Sequence, residues 1–201
     1  MNKAVKVLKK VISLQKQKKL KKYLNDILMV ADFNPIINER PKKIEVITFV
    51  IPGMPAFSGG HTSILRLGTE LSNSGYKIKY ISIDNQSIES MRDNAKVNLQ
   101  GYKGEFISSK FEDVETDVVV ATAWDTVYYS RKIKGYKMYF VQDYEPYFSL
   151  YGESFILAKK TYELGYHMVS LGKCNKHMIE KECVVNSELD FITFPYEGKE
   201  Y

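Results

Sequence analysis

Three short clusters combine residue types that could bind a polar ligand, and each follows an apolar run. The first is Pro52-Gly53-Met54-Pro55-Ala56-Phe57-Ser58-Gly59-Gly60-His61. Gly59 and Gly60 lack a β-carbon, so the backbone can approach a ligand closely and offer N–H groups at a helix start. A phosphate or a sugar hydroxyl suits such a place. The second is Thr122-Ala123-Trp124-Asp125-Thr126, in which the single tryptophan stands beside a carboxylate. An indole face can stack on a sugar ring, and Asp125 can accept from hydroxyls. The third is Gln142-Asp143-Tyr144-Glu145-Pro146-Tyr147-Phe148, where amide and carboxylate acceptors alternate with rings. Such a mixture could orient a polyhydroxyl acceptor.

Each cluster also has a purely structural reading. Gly59-Gly60 can simply turn the chain. Thr122 or Asp125 can cap a helix while Trp124 packs beneath it. The third cluster as a mere solvated loop would leave Tyr147, Phe148 and Tyr151 exposed. The first loop is not GxGxxG, which counts against a dinucleotide cofactor, although Asp84 stands about where a ribose-binding acid would lie. Asp143 and Glu145 have no evident third metal ligand. Cys174, Cys183, His61, His167 and His177 form no metal-binding spacing. No metal or tightly held cofactor is expected.

These clusters must be positioned by the elements around them. From residue 42 apolar strands alternate with amphipathic helices. The pattern predicts strands at 44–51, 77–83, 105–107, 117–122, 138–141, 167–170 and 191–194. It predicts helices at 61–74, 87–94, 125–133, 154–164 and 173–181. Repeated β-α-β units imply a doubly wound α/β fold, a Rossmann-like and mostly parallel sheet of about six strands covered on both faces. In that fold ligands sit outside the carboxyl ends of the strands, so all three clusters are expected on one side of the sheet. The domain is expected over 44–195, after a linker at 32–43 containing Pro35 and Pro41 and before a further linker at 196–201.

Composition narrows the function class. Apolar residues make up 44% and charged residues 26%, a globular balance. The net charge of +5 is uneven: residues 1–22 hold nine lysines and no acid, and the rest holds 20 basic and 24 acidic residues. The body of the protein is therefore mildly acidic, which opposes nucleic-acid binding. Residues 1–31 read as a basic helix, with Ala4, Leu8, Val11 and Ile12, then Leu20, Leu24, Ile27 and Leu28, at helical spacing. It can contact an anionic membrane or be a solvated helix. No signal peptide or spanning segment is apparent, and both cysteines are expected to stay reduced. The expected location is cytoplasmic, with peripheral contact at the inner face of the membrane.

The run Phe49 to Leu67 (FVIPGMPAFSGGHTSILRL) and the run Met138 to Tyr151 (MYFVQDYEPYFSLY), with Ala158, Thr161 and Tyr162, resemble bacterial surface-glycan rhamnosyltransferases of the WsaF type. These are retaining, metal-independent glycosyltransferases with the GT-B fold. The resemblance covers about residues 44–195. It implies the N-terminal, acceptor-side half of a two-domain enzyme that transfers rhamnose from a nucleotide-sugar such as dTDP-L-rhamnose to a growing glycan or lipid-linked saccharide. It places Gly59, Gly60 and His61 near the donor phosphates. It also sets Gln142 and Asp143 where many relatives carry a His-Asp pair. The donor-binding half lies beyond this sequence in the relatives, so a lone half is expected to be inactive without a donor-binding partner. No residue is assigned a catalytic role. A Rossmann-type nucleotide-binding module, or a noncatalytic membrane-surface protein, are the other readings.

Overall fold

The computed structural model describes residues 3–193. The expectations for Phe194 and for the linker at 196–201 lie outside the described residues, as do the side chains of Ala4, Leu8 and Val11. The chain forms two compact units, Met1–Asp32 and Phe33–Tyr201.

The first unit is one helix, α1 (Lys3–Val30). Lysine, leucine and glutamine are good helix formers, and neither glycine nor proline interrupts them. Pro35 disfavours helical backbone just beyond the end. Ile12, Leu14, Leu20 and Leu28 are exposed. Among the described residues no helix is long and apolar enough to cross a membrane.

The second unit is a seven-stranded parallel sheet in the order β3-β2-β1-β4-β5-β6-β7. The strands are β1 (Val46–Ile51), β2 (Lys77–Ser82), β3 (Glu105–Ile107), β4 (Val118–Ala121), β5 (Tyr136–Val141), β6 (His167–Leu171) and β7 (Leu189–Ile192). The helices are α2 (Gly59–Asn73), α3 (Ile88–Asn98), α4 (Trp124–Ser130), α5 (Glu153–Thr161) and α6 (Lys173–Glu182). The doubly wound, Rossmann-like class expected from the sequence is the fold observed. β1 and β4 are central, and their Val/Ile/Phe runs are buried almost throughout, as strands covered on both faces must be. The edges β3 and β7 are only three and four residues long, which limits edge-to-edge pairing.

Boundaries differ from expectation where local chemistry intervenes. β5 starts at Tyr136 rather than Met138, because Gly135 turns the chain at φ 125° and Tyr136 N–H donates to Asp117 C=O. β7 starts at Leu189, earlier than the expected 191. It is an edge strand and mostly exposed, so its apolar pattern is weak. Residues 33–43 have no regular structure, yet they are bonded into the domain. Asn38 donates from Nδ2 to Lys137 C=O and accepts from Lys137 N–H, both at 2.8 Å. Ile36 N–H donates to Leu164 C=O.

One face of the sheet packs Phe49, Ile78, Tyr80 and Phe106 under Ile64 and Leu65 of α2 and Met91 and Ala95 of α3. Buried tyrosines here and elsewhere in the domain have their hydroxyls satisfied by backbone carbonyls. Tyr80 donates to Lys103 C=O, Tyr128 to Leu157 C=O and Tyr166 to Val127 C=O. Gly68 is where α2 meets this packing. A β-carbon there would lie 2.1 Å from Tyr80 Oη and 3.0 Å from Tyr80 Cζ.

Gly68→Ala therefore sets two effects against each other. Helix propensity favours alanine by about 1 kcal/mol, whereas overpacking a closed core costs about 1–3 kcal/mol. Tyr80 is fully buried and cannot yield, so overpacking wins. Urea denaturation should show a lower midpoint for Gly68→Ala, partly restored when Tyr80→Phe removes the nearest atom.

Candidate functional site

The strand order reverses between β1 and β4, and the three sequence clusters leave the carboxyl ends of β1, β4 and β5 around that point. They line one open cleft of about 480 Å³, whose wall includes Ser58, Gly59, Gly60, His61, Thr122, Gln142, Asp143, Glu145 and Phe148.

The long β1–α2 loop is held by three amide side chains. Gln86 accepts from Met54 N–H at 2.7 Å and donates back to Met54 C=O at 3.1 Å. Asn94 donates to the same carbonyl at 2.8 Å. Asn98 accepts from Ser58 N–H at 3.0 Å and donates to Pro55 C=O at 2.8 Å. This bracing holds Phe57 in the left-handed region, at φ 56°, a conformation that costs a non-glycine residue about 1–3 kcal/mol. The Phe57 ring is exposed.

Ser58 stands at the N-cap of α2, but its side chain does not cap the helix. Its hydroxyl pairs with His61 Nδ1 at 2.7 Å instead. The first helical bond of α2 runs from Thr62 N–H to Ser58 C=O, so the N–H groups of Gly59, Gly60 and His61 precede it. They form an electropositive end that suits an anion or a hydroxyl oxygen. Burial lowers the His61 pKa, partly opposed by the nearby Gly53 carbonyl. Its Nε2 is buried without a hydrogen-bond partner among the described residues. A β-carbon on Gly59 would meet open space, but one on Gly60 would lie 3.3 Å from Gln142 Oε1. Gly60 and the Gln142 amide thus lie against each other at the cleft wall.

The remaining wall is built around Glu145. Thr122 donates to Val50 C=O at 2.8 Å, tying the β4 end to β1. Thr126, in the first turn of α4, accepts from Thr122 N–H and Ala123 N–H. Glu145 accepts from Trp124 N–H at 3.0 Å and from Tyr139 Oη at 2.8 Å. Both carboxylate oxygens are therefore engaged, and they clasp the β4–α4 turn to the loop after β5. Burial pushes the Glu145 pKa up to about 7. The two donors oppose that rise, and the Asp125 and Asp143 charges add to it. Behind it Tyr139, Tyr162 and Tyr144 stack with near-parallel rings, at 5.7 and 5.5 Å between centroids. Asn175 of α6 donates to Gln142 C=O at 2.8 Å and sets that side of the cleft.

Of the nine residues singled out from the sequence, Gly59, Gly60, His61, Gln142, Asp143 and Glu145 meet at the cleft. Asp143 is the exposed carboxylate among them. Trp124, Asp125 and Tyr144 do not line it. Trp124 packs edge-on against Tyr128 at 6.4 Å. Asp125 is buried and accepts from Thr126 N–H at 2.8 Å. Tyr144 belongs to the stacked tyrosines. The ring that lines the cleft is Phe148, 70% exposed. Ser58 and Ser63 also line it. Their only sequence signal was adjacency to the glycine pair. Asp84 lies beside Gly53 and lines a separate hollow with Gln86 and Met91.

At the amino ends of β6 and β7, His167 Nε2 lies 3.0 Å from Asp190 Oδ2 and 3.8 Å from Glu188 Oε2. Glu188 is also paired with Arg40, so a cation already serves this cluster. No protein-family model matches the chain, and no curated protein matches it either.

Glu145 makes a pH prediction with a definite sign. Its pKa is about 7 in the folded chain against an ordinary 4.5, so the folded state binds this proton more tightly than the unfolded state. The stability it confers is fully present below the ordinary value and is lost as pH rises through the folded one. Glu145→Gln keeps the shape of the neutral acid. The difference in unfolding free energy between wild type and Glu145→Gln, followed by urea denaturation, should be small at pH 4.5. By pH 8 it should favour the glutamine variant, by an amount on the order of a few kcal/mol.

Proposed function

We propose that this chain is the acceptor-side half of a retaining glycosyltransferase, transferring rhamnose or a similar sugar from a nucleotide-sugar to a growing surface glycan. The observation that carries the reading is the cleft at the strand-order reversal. It combines a glycine-paired helix start, an amide and a carboxylate at Gln142 and Asp143, and an exposed ring at Phe148. Together these offer N–H donors, hydroxyl acceptors and a stacking face, which is the set a saccharide requires. The likeness of FVIPGMPAFSGGHTSILRL and MYFVQDYEPYFSLY to surface-glycan rhamnosyltransferases supports it.

In this reading the domain contributes positioning. Gly59 and Gly60 present N–H groups, and Asp143 and Gln142 accept from or donate to sugar hydroxyls. Glu145, with both oxygens committed, holds the two loops at a fixed distance. Holding an acceptor hydroxyl against a donor carbon can lower a barrier by up to about 7–11 kcal/mol in the best cases. The donor, dTDP-L-rhamnose or a relative, would be held by a separate donor-binding domain. Charge on α1 would give reversible contact with an anionic membrane, where lipid-linked acceptors reside.

A nucleotide-binding module is the competing reading, and Asp84 is the feature that favours it. NMR titration of the chain separates the two. A rhamnose-containing oligosaccharide should perturb Gly59, Gly60, Gln142, Asp143 and Phe148. NAD or NADP should leave them unmoved. Gly60→Val, which fills the space facing Gln142, and Asp143→Asn should each weaken oligosaccharide binding at least about tenfold, a loss of roughly 1.4 kcal/mol. Neither should change the thermal midpoint appreciably. Perturbations centred on Asp84 with NAD, and none with saccharide, would refute the transferase reading.

A further inference from the structure

Beyond the cleft stands a run of exposed apolar side chains of which the proposed function uses only Phe148. After the buried pair Glu145-Pro146 the chain presents Tyr147 (60% exposed), Phe148 (70%), Leu150 (94%) and Tyr151 (83%), followed by Ile156 on α5 (54%). Isolated exposed apolar residues are ordinary, but five within ten positions form a patch, and such patches mark interaction surfaces. Only Phe148 of these lines the cleft.

The run is braced from below. Glu145 is fixed by Trp124 N–H and Tyr139 Oη, and its own N–H donates to Tyr162 Oη at 3.1 Å. Tyr147 packs edge-on against Tyr144, with centroids 4.8 Å apart, and Tyr151 rests on Phe155 at 5.1 Å. A fixed base with an exposed apolar tip is unlike a loose surface loop. No charged residue lies between Glu145 and Glu153.

Its flank on α6 carries lysines. Tyr147 Oη reaches Met178 Sδ at 3.8 Å, so α6 lies alongside. The first turn of α6 carries Lys173 and Lys176, both near the Phe191 ring. On that side Glu180 is matched by Lys176 at 3.8 Å and Glu182 by Lys159 at 3.9 Å, while Asp143 and Glu153, which bracket the run, are exposed. Among the described residues no acid pairs with Lys173.

We infer that Tyr147, Leu150 and Tyr151 form a finger that enters the interfacial layer of a bilayer containing anionic lipid, with Lys173 of α6 available to the headgroups. The chemistry fits one partner, a lipid surface. Tyrosine rings sit at the headgroup level, and leucine enters the acyl boundary. Tyr147, Leu150 and Tyr151 are exposed outside the cleft, as side chains that enter a bilayer must be. The chain also carries nine lysines and no acid in residues 1–22, a charge complementary to anionic lipid. The finger starts directly after β5, at the same end of the sheet as the cleft. Its insertion would hold the cleft mouth at the membrane surface, whichever sugar is bound there.

The test must separate the finger from the lysine-rich helix. Leu150→Trp in the full chain places a reporter at the tip, and the spectrum of the parent chain subtracts the Trp124 signal. Vesicles of phosphatidylcholine and phosphatidylglycerol should move the added emission to shorter wavelength. Lipids brominated on their acyl chains should quench it. Tyr147→Ser/Leu150→Ser/Tyr151→Ser should cut vesicle flotation at least fivefold, with the near-ultraviolet spectrum still that of a folded chain. Flotation of the Leu150→Trp variant with neither shift nor quenching of the added emission would overturn the inference, because the rest of the chain would then do the binding. So would an absence of flotation. A blue shift that needs no vesicles and grows with protein concentration would assign the finger to a second copy of the chain, and would overturn it as well.

Discussion

The reversal of strand order between β1 and β4 is the constraint on which the rest depends. β2 and β3 are added on one side of β1, and β4 to β7 on the other. Right-handed crossovers then place α2 and α4 on opposite faces of the sheet. No connection can pass over the gap between their starting points, so a crevice is unavoidable at the carboxyl ends of these two strands. The sequence determines only what lines it. Here a glycine pair opens α2, a Thr-Ala turn opens α4, and an amide-carboxylate pair follows the next strand.

A crevice that topology leaves open needs rigid walls to be of use, and the walls are braced by polar side chains. Asn94 and Asn98 of α3, with Gln86 before it, replace the missing ladder partners of the β1–α2 loop. Glu145 performs the same task between β4 and β5. Its cost is the burial of a carboxylate, felt as a proton held near neutral pH. A neutral isostere would relieve that cost, so the acid is a place where stability is given up at the cleft wall.

The fold was legible in the residues because buried parallel strands read as apolar runs and amphipathic helices keep their period. Every strand and helix expected after residue 42 is present, and the errors fall at ends, where Gly135 or an exposed edge strand hides the boundary. Part of the cleft was legible too, since strand-end loops must converge in this topology. Trp124 and Asp125 misled for a physical reason. They sit in the first turn of α4, where a side chain can serve the helix or a ligand, and periodicity does not distinguish the two. Here Asp125 bonds Thr126 N–H and Trp124 meets Tyr128. Glu145 was legible as a cleft residue but not as a clasp. That role depends on Tyr139 and Trp124 arriving from other strand ends, and no sequence spacing encodes it.

The same contrast separates the two carboxylates of the loop after β5. Asp143 is exposed at the cleft, whereas Glu145, two positions on, is buried with both oxygens bonded. They begin as one polar cluster and end in unlike environments because the 3₁₀ turn Glu145–Phe148, with Pro146 near its start, buries Glu145 and leaves Tyr147 and Phe148 exposed. The turn that buries one acid is therefore the turn that lifts the aromatic finger, and the wall and the finger form one mechanical unit.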